Sequence, residues 1–144
     1  MVINGEAPIA GSEFAEANLR RLIAYTRDAD LSNRDWATFH LANTGIDTLE
    51  VRAALHARLL DEHPAVQEEA MLGLAQRHDR SALPLLQVWL QSRPISQDIL
   101  EAAGAFADQS LCALLCLRRP STGNEFLSFL WNEAYSSCEC GASS

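Results

Sequence analysis

The sequence has no apolar run approaching the roughly 20 residues that cross a bilayer, so a membrane partner is not expected. Met1 to Gly11 holds no Lys or Arg and no long apolar core, which excludes the pattern of a secretory signal and leads us to expect a cytoplasmic protein. Basic residues are scarce: 11 Lys and Arg stand against 19 Asp and Glu, for a formal net charge of -8. Such a chain repels phosphate backbones unless its few cations gather on one face, so nucleic acid is not expected as a partner, whereas a basic protein is attracted. No period-two alternation of useful length occurs, which leaves out a β fold. A Gly-rich phosphate loop and a nucleophile elbow are missing too. The histidines, His40, His56, His63 and His78, have neither a paired nucleophile nor metal-ligand spacing. The expectation is a protein without enzymatic activity, cofactor or metal.

Cysteine is also sparse and unevenly placed. The 4 cysteines form Cys112-x3-Cys116 and Cys138-x-Cys140, all in the last third. A disulfide framework would spread them through the chain, so a reducing compartment is the expectation. Cys112 and Cys116 share a helical face and supply half of a four-thiolate zinc set. Cys138-x-Cys140, however, is tighter than the usual C-x2-C and lacks knuckle glycines before it. Cys112 and Cys116 are therefore expected to be buried thiols with a packing role.

What the sequence does contain is helix. Its 144 residues, 48% of them hydrophobic, suffice for one domain with a real core. Residues 1–12 carry Gly5, Pro8 and Gly11 and are expected to form a flexible arm; residues 13–136 form one repeat domain; residues 137–144 form a flexible tail. Leu19, Leu22 and Ile23 at i, i+3, i+4 give a helix over Glu13 to Arg27. Ser32 with Asp35 three residues later reads as a capping box, and the helix through Trp36, Ala37, Phe39 and Leu41 stops at Asn43-Thr44-Gly45. Asp47 with Glu50 starts another, lined by Val51, Ala54, Leu55 and Leu59. The clearest pair runs from Asp61 to Leu90, with Pro64 in its first turn, a break at His78-Asp79-Arg80, and Leu83, Leu86 and Leu90 on the inner face of the second helix. Ser96 begins a further helix with Ile99, Ala103 and Ala107 in an i, i+4, i+8 stripe; Asp108 caps Gln109 to Leu117; Asn124 to Tyr135 is the last helix.

These pairs repeat. Ala37, Ala70 and Ala103 lie 33 residues apart, as do Asn33, Val66 and Ile99. A small residue recurs in mid-helix because only Ala or Gly lets a neighbouring helix approach closely. One such pair cannot bury its apolar face alone, so units must stack.

The residues Asp61-x-x-Pro-Ala-Val-x-x-x-Ala-x-x-Gly-Leu-Ala-x-x-x-Asp79-x-x-Ala-Leu-Pro-x-Leu resemble HEAT-like repeats of the phycobilisome-lyase type, and Asp28-x-Asp-Leu-Ser-Asn-Arg34-Asp-Trp-Ala-Thr-Phe is similar to another unit of that family. The resemblance covers roughly Leu19 to Leu117. It implies an all-α right-handed α-solenoid of about three helical hairpins with flanking helices at both ends. It also implies an Arg after the Val position, paired with an Asp of the neighbouring turn. Arg34 keeps that Arg, whereas the equivalent positions hold Gln67 and Leu100.

The function so implied is that of a protein-binding scaffold. Small acidic HEAT-like proteins resemble bacterial immunity proteins that neutralise a cognate toxin, and a basic toxin domain would suit the charge of this chain. Two other roles are carried by proteins of this repeat type: a lyase or chaperone for a bilin or other tetrapyrrole, and a DNA glycosylase working over a basic concave surface. The expected partner-binding residues are Asp35, Trp36 and Phe39, where this unit departs from its neighbours, together with Glu50, His56, Glu68 and Glu69. Trp89 and Trp131 sit beside apolar stripes and are expected in the core.

Overall fold

Short polar side chains start most of the helices by taking up free backbone N–H groups. Asp30 accepts from the Ser32 N–H ahead of α2 (Leu31–Asn43), and Thr48 from Val51 ahead of α3 (Leu49–Arg58). Ser96 accepts from Ile99 ahead of α6 (Gln97–Phe106), and Asn124 from Leu127 ahead of α8 (Glu125–Ser137). Two expected caps are thereby corrected. Ser32 is already inside α2, because Asp30 supplies the acceptor two residues earlier. Asp47 yields its place to Thr48 and instead takes both ends of the Arg52 fork, at 2.6 and 2.7 Å. Pro64 opens α4 (Pro64–Gln76), and Pro84 lies in the first turn of α5 (Leu83–Ser92), where a missing N–H costs nothing. The remaining helices are α1 (Glu13–Tyr25) and the short α7 (Cys112–Leu117).

The computed structural model describes residues 13–121 and 123–140, and the described residues contain helices and turns but no strand. The expected arm over residues 1–12 lies outside them, as do residues 141–144 of the expected tail. Residues 137–140 depart from that expectation. Ser137 closes α8, Cys138 is buried, and Cys140 is covalently bonded to Cys112.

The chain divides into two compact units, Met1–Gly73 and Leu74–Ser144, with the boundary inside α4. In the first, Leu22 of α1, Ala37 and Leu41 of α2, Val51 and Leu55 of α3, and Val66 and Ala70 of α4 form a core. In the second, Leu86 and Leu90 of α5, Ile99 and Ala103 of α6, Leu115 of α7 and Trp131 of α8 are buried. Trp89 and Trp131 are core residues as expected; the Trp131 indole N–H donates to the Leu115 carbonyl at 2.8 Å, so its polar edge is satisfied.

Ala37, Ala70 and Ala103 are all fully buried, in keeping with a 33-residue register. The register then shortens. Backbone in the left-handed region follows α2 at Gly45, α4 at His78 and α6 at Ala107, spacings of 33 and then 29. Four residues are about one helical turn, so α6 has lost a turn while keeping its buried face. Ala107, expected on the stripe, is therefore the exposed residue that ends the helix, at φ 53°. A left-handed L-residue costs on the order of 1–2 kcal/mol, part of which Gly returns through its freer unfolded chain. Ala107→Gly is expected to raise unfolding free energy by about 0.5–1 kcal/mol in a urea titration.

Candidate functional site

The polar centre of the first unit is the turn after α3. Asp61 is buried, and its carboxylate accepts from three residues. Arg34 Nε and Nη2 approach at 2.9 and 3.3 Å, Arg58 Nη1 at 2.9 Å and the His63 N–H at 3.0 Å. Burial alone would raise the Asp61 carboxyl. The Arg34 hydrogen bond, the His63 N–H and the charges of Arg34 and Arg58 outweigh it, and hold the group below the usual carboxylate range. Arg34 Nη1 also donates to the carbonyls of Asp28 and Ala29, each at 3.2 Å, so one guanidinium ties the turn before α2 to the turn before α4.

The Arg–Asp pairing implied by the resemblance thus exists at Arg34 and changes character one register on. Gln67 donates to the Asp61 main-chain carbonyl in place of an ion pair. Leu100, the third counterpart, is buried without polar work to do. In the second unit, Arg80 meets Asp108 at 2.5 Å, with the Arg80 side chain largely exposed. Hydrogen bonds from Ser110 and Arg80 hold the Asp108 carboxyl down to about 2.

Two concavities open beside this turn. One, of about 410 Å³, is lined by Arg27, Asp28, Arg34, Arg58, Asp61 and Glu62, three cations against three carboxylates. The other, of about 260 Å³, lies between Ile23 of α1 with Arg27 of the turn after it and Glu50, Ala53, Ala54 and Ala57 of α3. Positions 50, 53, 54 and 57 follow the i, i+3, i+4, i+7 spacing of one helical face. The alanines give a shallow apolar floor, with an exposed carboxylate and an exposed guanidinium on its lining.

A third feature is the outer surface of α2. Trp36 packs on His40 with ring centroids 4.3 Å apart, and Phe39 meets the same imidazole edge-on at 5.3 Å. Phe39 is 50% exposed. Asp35 sits beside them, half-buried, with a shielded Oδ1 that no described donor reaches.

The seven residues expected to bind a partner come from three helices of the first unit, α2, α3 and α4. Asp35, Trp36 and Phe39 share α2, and Glu50 lines the apolar concavity. His56, Glu68 and Glu69 are half-buried and already engaged by other groups. Val66 and Ala70 are fully buried on one side of α4, and Glu68 lies on the other side, about 200° around the helix. The sequence reading overlooked Arg27 and Arg58 and left the Asp partner of Arg34 unnumbered; an Asp followed by Pro three residues later looks like ordinary helix-start chemistry.

The cysteines also depart from expectation. Cys112 and Cys140 are joined by a disulfide, Cys116 is an exposed thiol, and Cys138, placed in the expected tail, is buried. Burial pushes the Cys138 thiol up.

No protein-family model matches the sequence. Protein YibA of Escherichia coli strain K12, and that of strain O157:H7, are each 31% identical over 100 residues, which cover 69% of this chain. The chain spans 36% of the length of these relatives. The X-ray structure of Escherichia coli YibA superposes with a TM-score of 0.68 at 25% identity, covering 87% of this chain and 50% of that one. The all-helical fold is therefore shared with part of a solved protein. Among the described residues, no helix is long and apolar enough to cross a membrane.

Proposed function

We propose that this protein is a non-enzymatic scaffold of HEAT-like helical hairpins that binds another protein, and more specifically an immunity protein that caps a basic toxin domain. The observation that carries the reading is the aromatic surface of α2. Phe39, 50% exposed beside the tilted Trp36–His40 ring contact, gathers three rings on one helix, and aromatic side chains of this kind serve as interface anchors. The net charge of -8 supports a basic partner, drawn in by long-range attraction and then fixed by close packing. Glu50 and the alanine floor between α1 and α3 give such a partner a second foothold, with charge at its lining and room for close backbone approach.

The test is co-expression with toxin domains encoded beside this gene, followed by calorimetric titration of any pair that forms. Trp36→Ala and Phe39→Ala are each expected to weaken binding by about 2 kcal/mol, close to 30-fold in Kd, with unchanged thermal midpoints. Full affinity in both variants would overturn the assignment of this surface. A Trp36→Ala protein that loses stability but not affinity would make Trp36 a packing residue.

A further inference from the structure

We propose that the Cys112–Cys140 bond is a reversible thiol-modification site, opened by a dithiol reductant and closed again by an oxidant without unfolding the unit that carries it. Three observations support this. First, both sulfurs belong to partly exposed residues, one at the start of the short α7 and one in the turn after α8, so an attacking thiolate can reach the bond.

Second, α8 is held without the bond. The backbone of α8 packs on α6 at Ala134: even a Cβ built on Gly104 would be in ordinary contact with the Ala134 Cα, at 3.5 Å. Trp131 is buried and hydrogen-bonded to Leu115, and the Arg119 guanidinium lies 4.2 Å above its ring. The fully buried Cys138 points its thiol at the Ala103 carbonyl at 3.5 Å, which anchors the chain two residues before the disulfide. Opening the bond therefore leaves the helix seated, and backbone hydrogen bonds from Glu139 and Cys140 to Ser136 and Tyr135 keep its last turn. Glu139 is left-handed, at φ 56°, in a capping turn that the Cys140 N–H closes by donating to the Tyr135 carbonyl at 3.1 Å.

Third, the two remaining thiols differ in access. Cys138 is enclosed and protonated, whereas Cys116 is exposed one turn along α7 from Cys112. Exchange chemistry is thus confined to the surface. A dithiol R(SH)2 attacks one sulfur of the bond as its thiolate and forms a mixed disulfide; the second thiol of R resolves it. R leaves as its cyclic disulfide, and Cys112 and Cys140 each gain one electron and one proton.

The site is tested by thiol alkylation and mass spectrometry of the native protein across mixtures of reduced and oxidised glutathione, with dithiothreitol as the limiting reductant. The expected label count moves reversibly from one, at Cys116, to three, at Cys112, Cys116 and Cys140, while Cys138 stays unlabelled until denaturant is added. Helicity is expected to stay constant while the thermal midpoint falls by roughly 5–10 °C. A count fixed at one in dithiothreitol would make the bond a permanent staple and overturn the proposal. So would Cys138 reacting as fast as Cys112 on reduction, since α8 would then have come away. Cys140→Ser separates the bond from the reagent: it should keep the helicity and label only Cys112 and Cys116.

Discussion

Asp61→Ala should cost the first unit about 3–5 kcal/mol, measured by urea unfolding. Much of that loss comes from the partners left behind. Arg34 and Arg58 are 13% and 18% exposed in their side chains, so removing the carboxylate strands two poorly hydrated guanidiniums and frees the His63 N–H. A loss of that size is a large share of the 5–15 kcal/mol typical of a whole domain. The same site gives an acid dependence whose sign follows from its lowered native pKa. The stabilisation is present in full above the ordinary carboxylate value near ~3.9 and is lost as pH falls through the lower native value. Asp61→Asn should flatten that part of the stability–pH curve. An unchanged curve would mean that other carboxylates set the acid limit.

Gly73→Val should be nearly as damaging, at about 3 kcal/mol, although Gly in mid-helix is ordinarily a weakness. A Cβ at this position of α4 would stand 2.7 Å from the Ala42 Cβ, 3.0 Å from the Ala42 Cα and 3.1 Å from Leu55 Cδ1. Two of these contacts are with a helix backbone and its first carbon, which cannot swing aside. Even Gly73→Ala is expected to lose stability, because overpacking at ~1–3 kcal/mol exceeds the ~1 kcal/mol that Ala gains in helix propensity. Gly104 is the control. A Cβ there meets its nearest neighbour at 3.5 Å, an ordinary contact, so Gly104→Ala is expected to be neutral or stabilising by up to ~1 kcal/mol. Calorimetric melts of the two alanine variants should move in opposite directions; a stabilised Gly73→Ala would show that α2 and α4 can part without loss.

The helices were legible because their buried residues recur at the helical period and their starts use short polar side chains. Ala37, Ala70 and Ala103 announced both the repeat and its close packing, and each is fully buried. The caps were legible to within two residues: where Asp30 and Ser32, or Asp47 and Thr48, compete, spacing alone cannot rank two capable acceptors. Ala107 was misread because a lost helical turn preserves the pattern up to the residue where the chain leaves the helix. Trp36 and Phe39 stood out by contrast with their counterparts, and Phe39 does face solvent. Spacing alone shows neither the Arg34–Asp61 pair, which only the resemblance implied, nor the disulfide, for a shared reason. Arg34 lies 27 positions from Asp61, and Cys112 lies 28 from Cys140. No local period joins such pairs; they meet only because the intervening helices fold back.

Those same intervals bear on how the chain reaches its native state. The Arg34 clamp closes a loop no longer than a helix pair with its turns, and loop-closure entropy grows only slowly with length. Local contacts of this kind belong to proteins that fold in about microseconds to milliseconds. The clamp itself needs both turns to be in place before its guanidinium can span them. It is thus suited to act after the transition state, slowing unfolding far more than it speeds folding. Arg34 would then govern how long the first unit lasts once formed, rather than how quickly it forms.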